Sequence, residues 1–262
     1  MSILSHAPAH STPTTCNQCR DAQGLDFDFD YAYQPIVDCQ SGDLFAHEAL
    51  VRGPAGESAY SVLSKVNEEN RYRFDQSCRV KAIKTASEIG LPTRLSINFM
   101  PNAIYRPELC IRTTLQAARD YNFPIERIIF ETVEGERVDD GRWLSQVLQE
   151  YRKIGFLTAI DDFGAGFAGL NLLADFQPDI VKLDMGLIRN IHTSASRQSI
   201  VRAIARMGEE LSLRVIAEGV ETHDEYSCLH DLGISLMQGY FFGKPLFRAA
   251  ASANELSLPA KA

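Results

Sequence analysis

No apolar run in this chain approaches the roughly 18 residues that a membrane-spanning helix requires, and the first Lys or Arg is Arg20. Neither a membrane span nor a secretory leader is expected, and a cytoplasmic protein is. Basic residues are in deficit, 26 Lys and Arg against 34 Asp and Glu, for a net charge of −8. That balance argues against a DNA partner held through a basic surface. The six histidines form no HxH or HExxH pattern, which speaks against a histidine-built zinc site. The six cysteines, at 16, 19, 39, 78, 110 and 228, form no framework and read as reduced thiols. Cys16 and Cys19 are the one close pair, but no second pair or nearby histidine completes a site. Tryptophan is nearly absent, and the lone Trp143 reads as helix packing.

Between residue 26 and residue 248 short apolar runs alternate with amphipathic stretches. Residues 1–25 and 249–262 lack that periodicity and read as a flexible N-terminal tail and a C-terminal tail. Strands are expected at Tyr31–Val37, Leu44–Val51, Arg94–Phe99, Arg127–Val133, Leu157–Asp162, Ile180–Leu183, Arg214–Ala217 and Ser235–Gln238. Several are continuously apolar or β-branched, as strands covered on both faces are. Helical faces fall between them, one at Phe74, Cys78, Ala82, Ala86 and Ile89, another at Ile200, Ile204, Met207 and Leu211. Arg197, Arg202 and Arg206 read as the solvated face of the second helix. The alternation of Asp26, Asp28 and Asp30 with Phe27 and Phe29 suggests a short half-exposed strand. The fold expected is α/β, a TIM-type (β/α)8 barrel. The first two strands depart from it. Only a hairpin-length link separates them, so strand 1 is expected to run antiparallel to strand 2, giving a modified barrel.

Polar residues collect late in these strands: Glu48, Asn98, Glu131, Asp161, Asp162, Lys182, Asp184, Glu218 and Gln238. In a barrel this places them at the C-terminal rim, where catalytic groups gather. Buried carboxylates in such number repel one another unless cations neutralise them. Carboxylate and amide oxygens are hard ligands, suited to Mg²⁺ or Mn²⁺ rather than to zinc or copper. The paired Asp161 and Asp162 reach one site only if the strand turns or bulges there, and Gly164 and Gly166 offer that freedom. One aspartate can then bridge two cations. His47, adjacent to Glu48, is expected on the opposite face, as packing.

These segments together resemble the EAL domain family, bacterial phosphodiesterases that act on cyclic di-GMP. The matching pieces are Gln34-Pro35-Ile36, Glu48-Ala49-Leu50-Val51-Arg52, Ser96-Ile97-Asn98, Glu131-x-x-Glu134, Asp161-Asp162-Phe163-Gly164, Lys182-Leu183-Asp184, Ala217-Glu218-Gly219-Val220-Glu221 and Gln238-Gly239-Tyr240. They run in order from about Tyr33 to Pro245. The resemblance implies two Mg²⁺ or Mn²⁺ ions per site and inhibition by Ca²⁺. Glu48, Asn98, Glu131 and Asp161 would hold one cation, and Asp161 and Asp162 the other. Glu218 would act as general base or bind the second metal, and Lys182 would orient the attacking water. Gln34, Arg52, Asp184, Gln238 and Pro245 are the expected substrate contacts. Gln238 and Glu221 would support the site, and Glu134 would hold a neighbouring loop.

The implied reaction is hydrolysis of cyclic di-GMP to linear pGpG. A homodimer and a separate sensor or regulatory protein are the implied partners. Two other readings stand beside it: a non-catalytic receptor or protein-interaction module on the same fold, and a different metal-dependent barrel enzyme. Gly53, Met100, Val133, Ala165, Phe167 and Ala168 depart from the usual pattern without removing a ligand. Tyr240, Phe241 and Phe242 read equally as a base-binding wall or as core closure.

Overall fold

The computed structural model describes residues 24–104, 106–133, 141–166 and 169–256. The expectations placed on residues 1–23, on Cys16 and Cys19, on Glu134, on Phe167 and Ala168, and on residues 257–262 lie outside these. The strands are β1 (Asp30–Asp38), β2 (Asp43–Arg52), β3 (Arg94–Asn98), β4 (Ile128–Val133), β5 (Leu157–Phe163), β6 (Ile180–Leu183), β7 (Arg214–Ala217), β8 (Leu236–Gln238) and β9 (Leu246–Phe247). The helices are α1 (Ala59–Leu63), α2 (Arg71–Glu88), α3 (Pro107–Cys110), α4 (Arg112–Asp120), α5 (Gly141–Ile154), α6 (Gly169–Asp175), α7 (Met185–Ile188), α8 (Ala195–Leu211) and α9 (His223–Asp231).

β2 through β8 pair in parallel and in sequence order, and β1 closes the ring between β8 and β2. β1 is antiparallel to both neighbours, as the hairpin-length link requires. The short β9 lies outside the ring and pairs with β1 at Ala32 and Tyr33.

Period-2 alternation along the strands builds the interior. Ile36, Ala46, Ile129, Ala159, Ile180, Ile216 and Leu236 form one buried layer inside the barrel. Their sequence neighbours Ile128 and Phe130 pack outward with residues of α2, α4 and α5, and Val181 packs outward with residues of α8 and α9. The face of α2 is the one expected, with Phe74, Cys78, Ala82 and Ala86 buried. The face of α8 is not. Its buried residues are Val201, Ile204 and Gly208, while Ile200 and Leu211 are exposed. The cause is Gly208, where a Cβ would come within 2.7 Å of Val215 Cγ2. The helix turns its smallest residue to the strand, and the apolar stripe slides partly into solvent.

Residues 26 and 27 form a bend and residues 28 and 29 no regular element, rather than a strand; only Asp30 joins β1. The alternation there serves a different end, packing Phe27 and Phe29 against Phe74. After β9 the chain returns to the barrel: Ala251 is buried and Leu256 packs against the second core cluster. The described cysteines, Cys39, Cys78, Cys110 and Cys228, are all free thiols. No described helix is long and apolar enough to cross a membrane.

Candidate metal centre and catalytic site

Two residues beyond the apolar layer, on the same inward face, each parallel strand except β3 presents a polar group. Ala46 is followed by Glu48, Ile129 by Glu131, Ala159 by Asp161, Ile180 by Lys182, Ile216 by Glu218 and Leu236 by Gln238. In β1, which runs the other way, the matching residue precedes the layer: Gln34 before Ile36. The barrel therefore carries an apolar floor and a charged storey above it.

Lys182 stands at the centre of that storey and is wholly buried. Its Nζ lies 2.5 Å from Glu218 Oε1, 2.8 Å from Glu131 Oε2, 3.3 Å from Glu48 Oε2 and 3.3 Å from Asp161 Oδ1. Burial opposes charge on this amine, yet the carboxylates, Asp161 foremost, hold it protonated to well above the ordinary lysine range. Burial likewise opposes ionisation of Glu48, but Lys182, Gln238 and Asn98 outweigh it and keep that carboxyl below its usual value. Glu131 goes the other way. Burial, with Glu48 and Asp161 nearby, pushes it up to about 8 despite Lys182. Burial also drives Glu218 well above the carboxylate range. Asp162 is raised by burial and by the adjacent Asp161.

Hydrogen bonds fix the cluster. Asn98 Nδ2 donates to Glu48 Oε1 at 2.9 Å, and Gln238 Nε2 donates to Glu48 Oε2 at 2.8 Å. Gln238 also reaches Gln34 Oε1 at 3.3 Å, and Gln34 Nε2 reaches the Gly243 carbonyl at 3.3 Å. Ser96 Oγ donates to Glu131 Oε1. This serine was not anticipated, although its place two residues before Asn98 puts it on the same inward face.

The strand irregularity expected at the paired aspartates falls on Asp162 itself. The β5–β6 register shifts between Ile160 and Phe163, and Asp162 takes a left-handed φ of 54°. That single residue turns both carboxylates toward the same mouth. Of the two glycines invoked for this turn, Gly164 follows at a left-handed φ of 99°.

The carboxylates fall into two groups. Ligand oxygens of Glu48, Glu131 and Asp161 lie within 4.8 Å of one another, and so do those of Asp161, Asp162 and Glu218. Asp161 belongs to both. The donor set suits hard cations. With all five ionised, as bound cations would make them, the carboxylates against one ammonium leave a charge of −4, which two divalent cations would neutralise. Among the described residues, two buried oxygens, Gln238 Oε1 and Glu218 Oε1, make no hydrogen bond; the latter lies in an ion pair with Lys182.

Other expected residues sit around this centre. Arg52 is half-buried at the end of β2, four residues beyond Glu48 on the same face, with Nη1 on the Val51 carbonyl at 2.8 Å. Asp184 caps α7, accepting from Gly186 N at 2.8 Å. Pro245 is half-buried just before β9. Glu221 lies apart from the carboxylates, in an exposed ion pair with Arg189 at 2.5 Å. Phe242 is buried in the core, Phe241 stacks on Tyr226, and Tyr240 is exposed. Trp143 packs partly buried on the core. His47 points away from the carboxylates, with Nδ1 2.8 Å from Thr93 Oγ1.

Comparison with known proteins bears on this arrangement. The curated blue light- and temperature-regulated antirepressor BluF of Escherichia coli is 32% identical over 215 residues, which cover 82% of this chain and 53% of that protein. Other curated relatives are named cyclic di-GMP phosphodiesterases. The chain spans about half or less of the length of these curated relatives. A standalone versatile EAL protein from Vibrio cholerae, solved in its c-di-GMP bound form, is 58% identical with a TM-score of 0.85, covering 87% of this chain and 97% of that one. Klebsiella pneumoniae BlrP1, solved as a manganese and cyclic di-GMP complex, is 34% identical with a TM-score of 0.80, covering 86% and 58%. The family model for the EAL domain matches residues 17–245. Barrel, carboxylate storey and match over most of the length agree, and the chain belongs to the EAL domain family.

Proposed function

We propose that this EAL domain hydrolyses one phosphodiester bond of cyclic di-GMP to give linear pGpG. One observation carries the reading: the five acidic residues fall into two carboxylate groups that share Asp161, and Glu48, Glu131, Asp161 and Glu218 all pair with Lys182. Glu48, Asn98, Glu131 and Asp161 would hold one cation, and Asp161 and Asp162 would hold the other. When bound, two Mg²⁺ or Mn²⁺ ions supply water activation and neutralise charge on the phosphate oxygens.

The chain's own groups do the rest. Glu218, drawn toward protonation by its burial, takes a proton from the attacking water at its carboxylate. Lys182 holds that carboxylate at 2.5 Å and offsets negative charge as the water oxygen bonds to phosphorus. The bond from phosphorus to the 3′-oxygen breaks in line; that oxygen takes up a proton from solvent, and Glu218 returns to solvent the proton it took. Arg52, Gln34, Asp184, Gln238 and Pro245 contact the dinucleotide, Arg52 through a planar guanidinium suited to phosphate. Gln238 also locks Glu48 from the β8 side and is itself braced by Gln34 of β1.

The domain works in the cytoplasm as a homodimer and takes its signal from a separate protein or from a segment outside the matched region. Sedimentation of the purified chain tests the dimer. The reaction is tested by incubating purified protein with cyclic di-GMP and Mg²⁺, Mn²⁺ or Ca²⁺ and identifying the product. Linear pGpG is expected with the first two. Ca²⁺ is expected to inhibit, because its looser shell positions and activates water less well. Metal and nucleotide bound with no product in Mg²⁺ or Mn²⁺ would make the domain a receptor instead.

A further inference from the structure

Arg79 is a fully buried cation that the reaction above does not use. It sits in α2, outside the barrel wall. Its Nη2 pairs with Asp75 Oδ2 at 2.8 Å, one helical turn earlier. Its Nη1 donates to the Tyr151 hydroxyl of α5 at 2.7 Å. The guanidinium carbon lies 5.4, 5.1 and 5.6 Å from the ring centres of Phe99, Phe130 and Tyr151. Its Nε has no hydrogen-bond partner among the described residues.

Those rings have particular neighbours. Phe99 follows Asn98, and Phe130 precedes Glu131. Asn98 and Glu131 are register partners across β3 and β4, and Phe99 N donates to the Glu131 carbonyl at 3.0 Å. Successive strand residues leave opposite faces. Arg79 therefore presses on the outer face of the strand pair whose inner face presents two of the cation ligands. Asp75 adds a second grip, since its Oδ1 accepts the backbone N–H of Met100, two residues past Asn98, at 2.9 Å. An apolar side chain of similar volume commonly fills such a position at no loss of stability, so stability alone is a weak reason for a charge there.

Resting on the metal reading above, we infer that Arg79, with Asp75, is a positioning residue for the cation site. By clamping Phe99, Phe130 and Met100 from outside, the pair sets the spacing at which Asn98 and Glu131 reach one ion. The arrangement is an outer support of the kind that orients metal ligands elsewhere. Lysine keeps the charge at this position but loses the planar fork that serves Asp75 and Tyr151 together.

The test is an electron-paramagnetic-resonance titration of free Mn²⁺ against the full chain, without nucleotide, beside thermal melting in chelator. Arg79→Lys is expected to stay folded and to bind Mn²⁺ roughly 10–100-fold more weakly. Tyr151→Phe, which removes one hydroxyl, is expected to weaken Mn²⁺ in the same direction by less. Lys84→Ala, on the exposed side of the same helix, is expected to leave Mn²⁺ binding unchanged. Should Arg79→Lys fail to fold, Tyr151→Phe decides. Wild-type Mn²⁺ affinity in every folded variant of the pair, with only the melting temperature lowered, makes Arg79 a stability element and overturns the inference. Failure of the unaltered chain to bind Mn²⁺ overturns the metal reading itself.

Discussion

Replacing Lys182 with methionine tests the electrostatic core of the site. In the metal-free protein, Lys182 is the one cation within reach of Glu48, Glu131, Asp161 and Glu218, at 2.5–3.3 Å among the described residues. Removing one partner of a buried charge group costs about 3–5 kcal/mol, because the remaining charges stay buried and unpaired. At about 2–4 °C per kcal/mol for a chain of this size, the metal-free melting temperature should fall by roughly 6–20 °C. The loss depends on pH in a fixed direction. Without the ammonium the carboxylates keep their protons to higher pH in the folded state than in the unfolded one. A folded-state pKa raised in this way stabilises at low pH and loses that contribution as pH rises. The deficit of Lys182→Met is therefore smallest near pH 5 and grows through pH 8, the region to which Glu131 is already pushed. Bound Mn²⁺ replaces the missing positive charge, and at a hundredfold excess over Kd one site alone returns about 2.7 kcal/mol. The assay is thermal or urea unfolding of both proteins in chelator and in Mn²⁺, at pH 5, 6.5 and 8. A variant within about 0.5 kcal/mol of the parent at pH 8 in chelator, below the ordinary cost of a buried-charge defect, would refute this account of the cluster.

Asp161→Ala should abolish turnover of cyclic di-GMP while circular dichroism stays native, since Asp161 serves both carboxylate groups; retained turnover would remove it from the site. Glu218→Gln should cut turnover and spare nucleotide binding, measured by calorimetry. Burial pushes the Cys39 and Cys78 thiols up to about 12. At pH 8 their thiolate fraction is about one in ten thousand, so iodoacetamide should label both far more slowly in the folded protein than in urea. Those raised values also mean that stability held below the unfolded thiol range is lost as pH climbs toward 12. Gly239→Ala should destabilise by at least about 1–3 kcal/mol in urea unfolding. Its Cβ would fall 2.0 Å from the Val220 carbonyl oxygen, which already accepts from Phe241 N at 3.0 Å.

The site was legible because its rule is short. An inward apolar residue followed two positions later by a polar one recurs in Ala46/Glu48, Ile129/Glu131, Ala159/Asp161, Ile180/Lys182, Ile216/Glu218 and Leu236/Gln238, and strand periodicity alone puts each pair on one face. The antiparallel β1 was legible for a similar reason, since link length restricts direction. The face of α8 was not, because a close approach at Gly208 decides it and a count of apolar positions carries no distance. Asp75 and Arg79, four apart on a helix, have the spacing of an ordinary surface pair; only the rings supplied by β3, β4 and α5 reveal that the pair is sealed in. Glu221, expected to support the site, stands in an exposed ion pair with Arg189, a partner from the preceding crossover that the motif itself does not contain.

The placement of β1 has a consequence for how the protein comes into being. Glu48 is synthesised 190 residues before Gln238, the amide that fixes its carboxylate. A nascent chain that stops short of Leu236 has β2 through β7 and still lacks the wall against which β1 seals. Ion capture by the completed site is thus deferred until β8 has been made, and a chain stalled before that point should hold Mn²⁺ far more weakly than the closed barrel does.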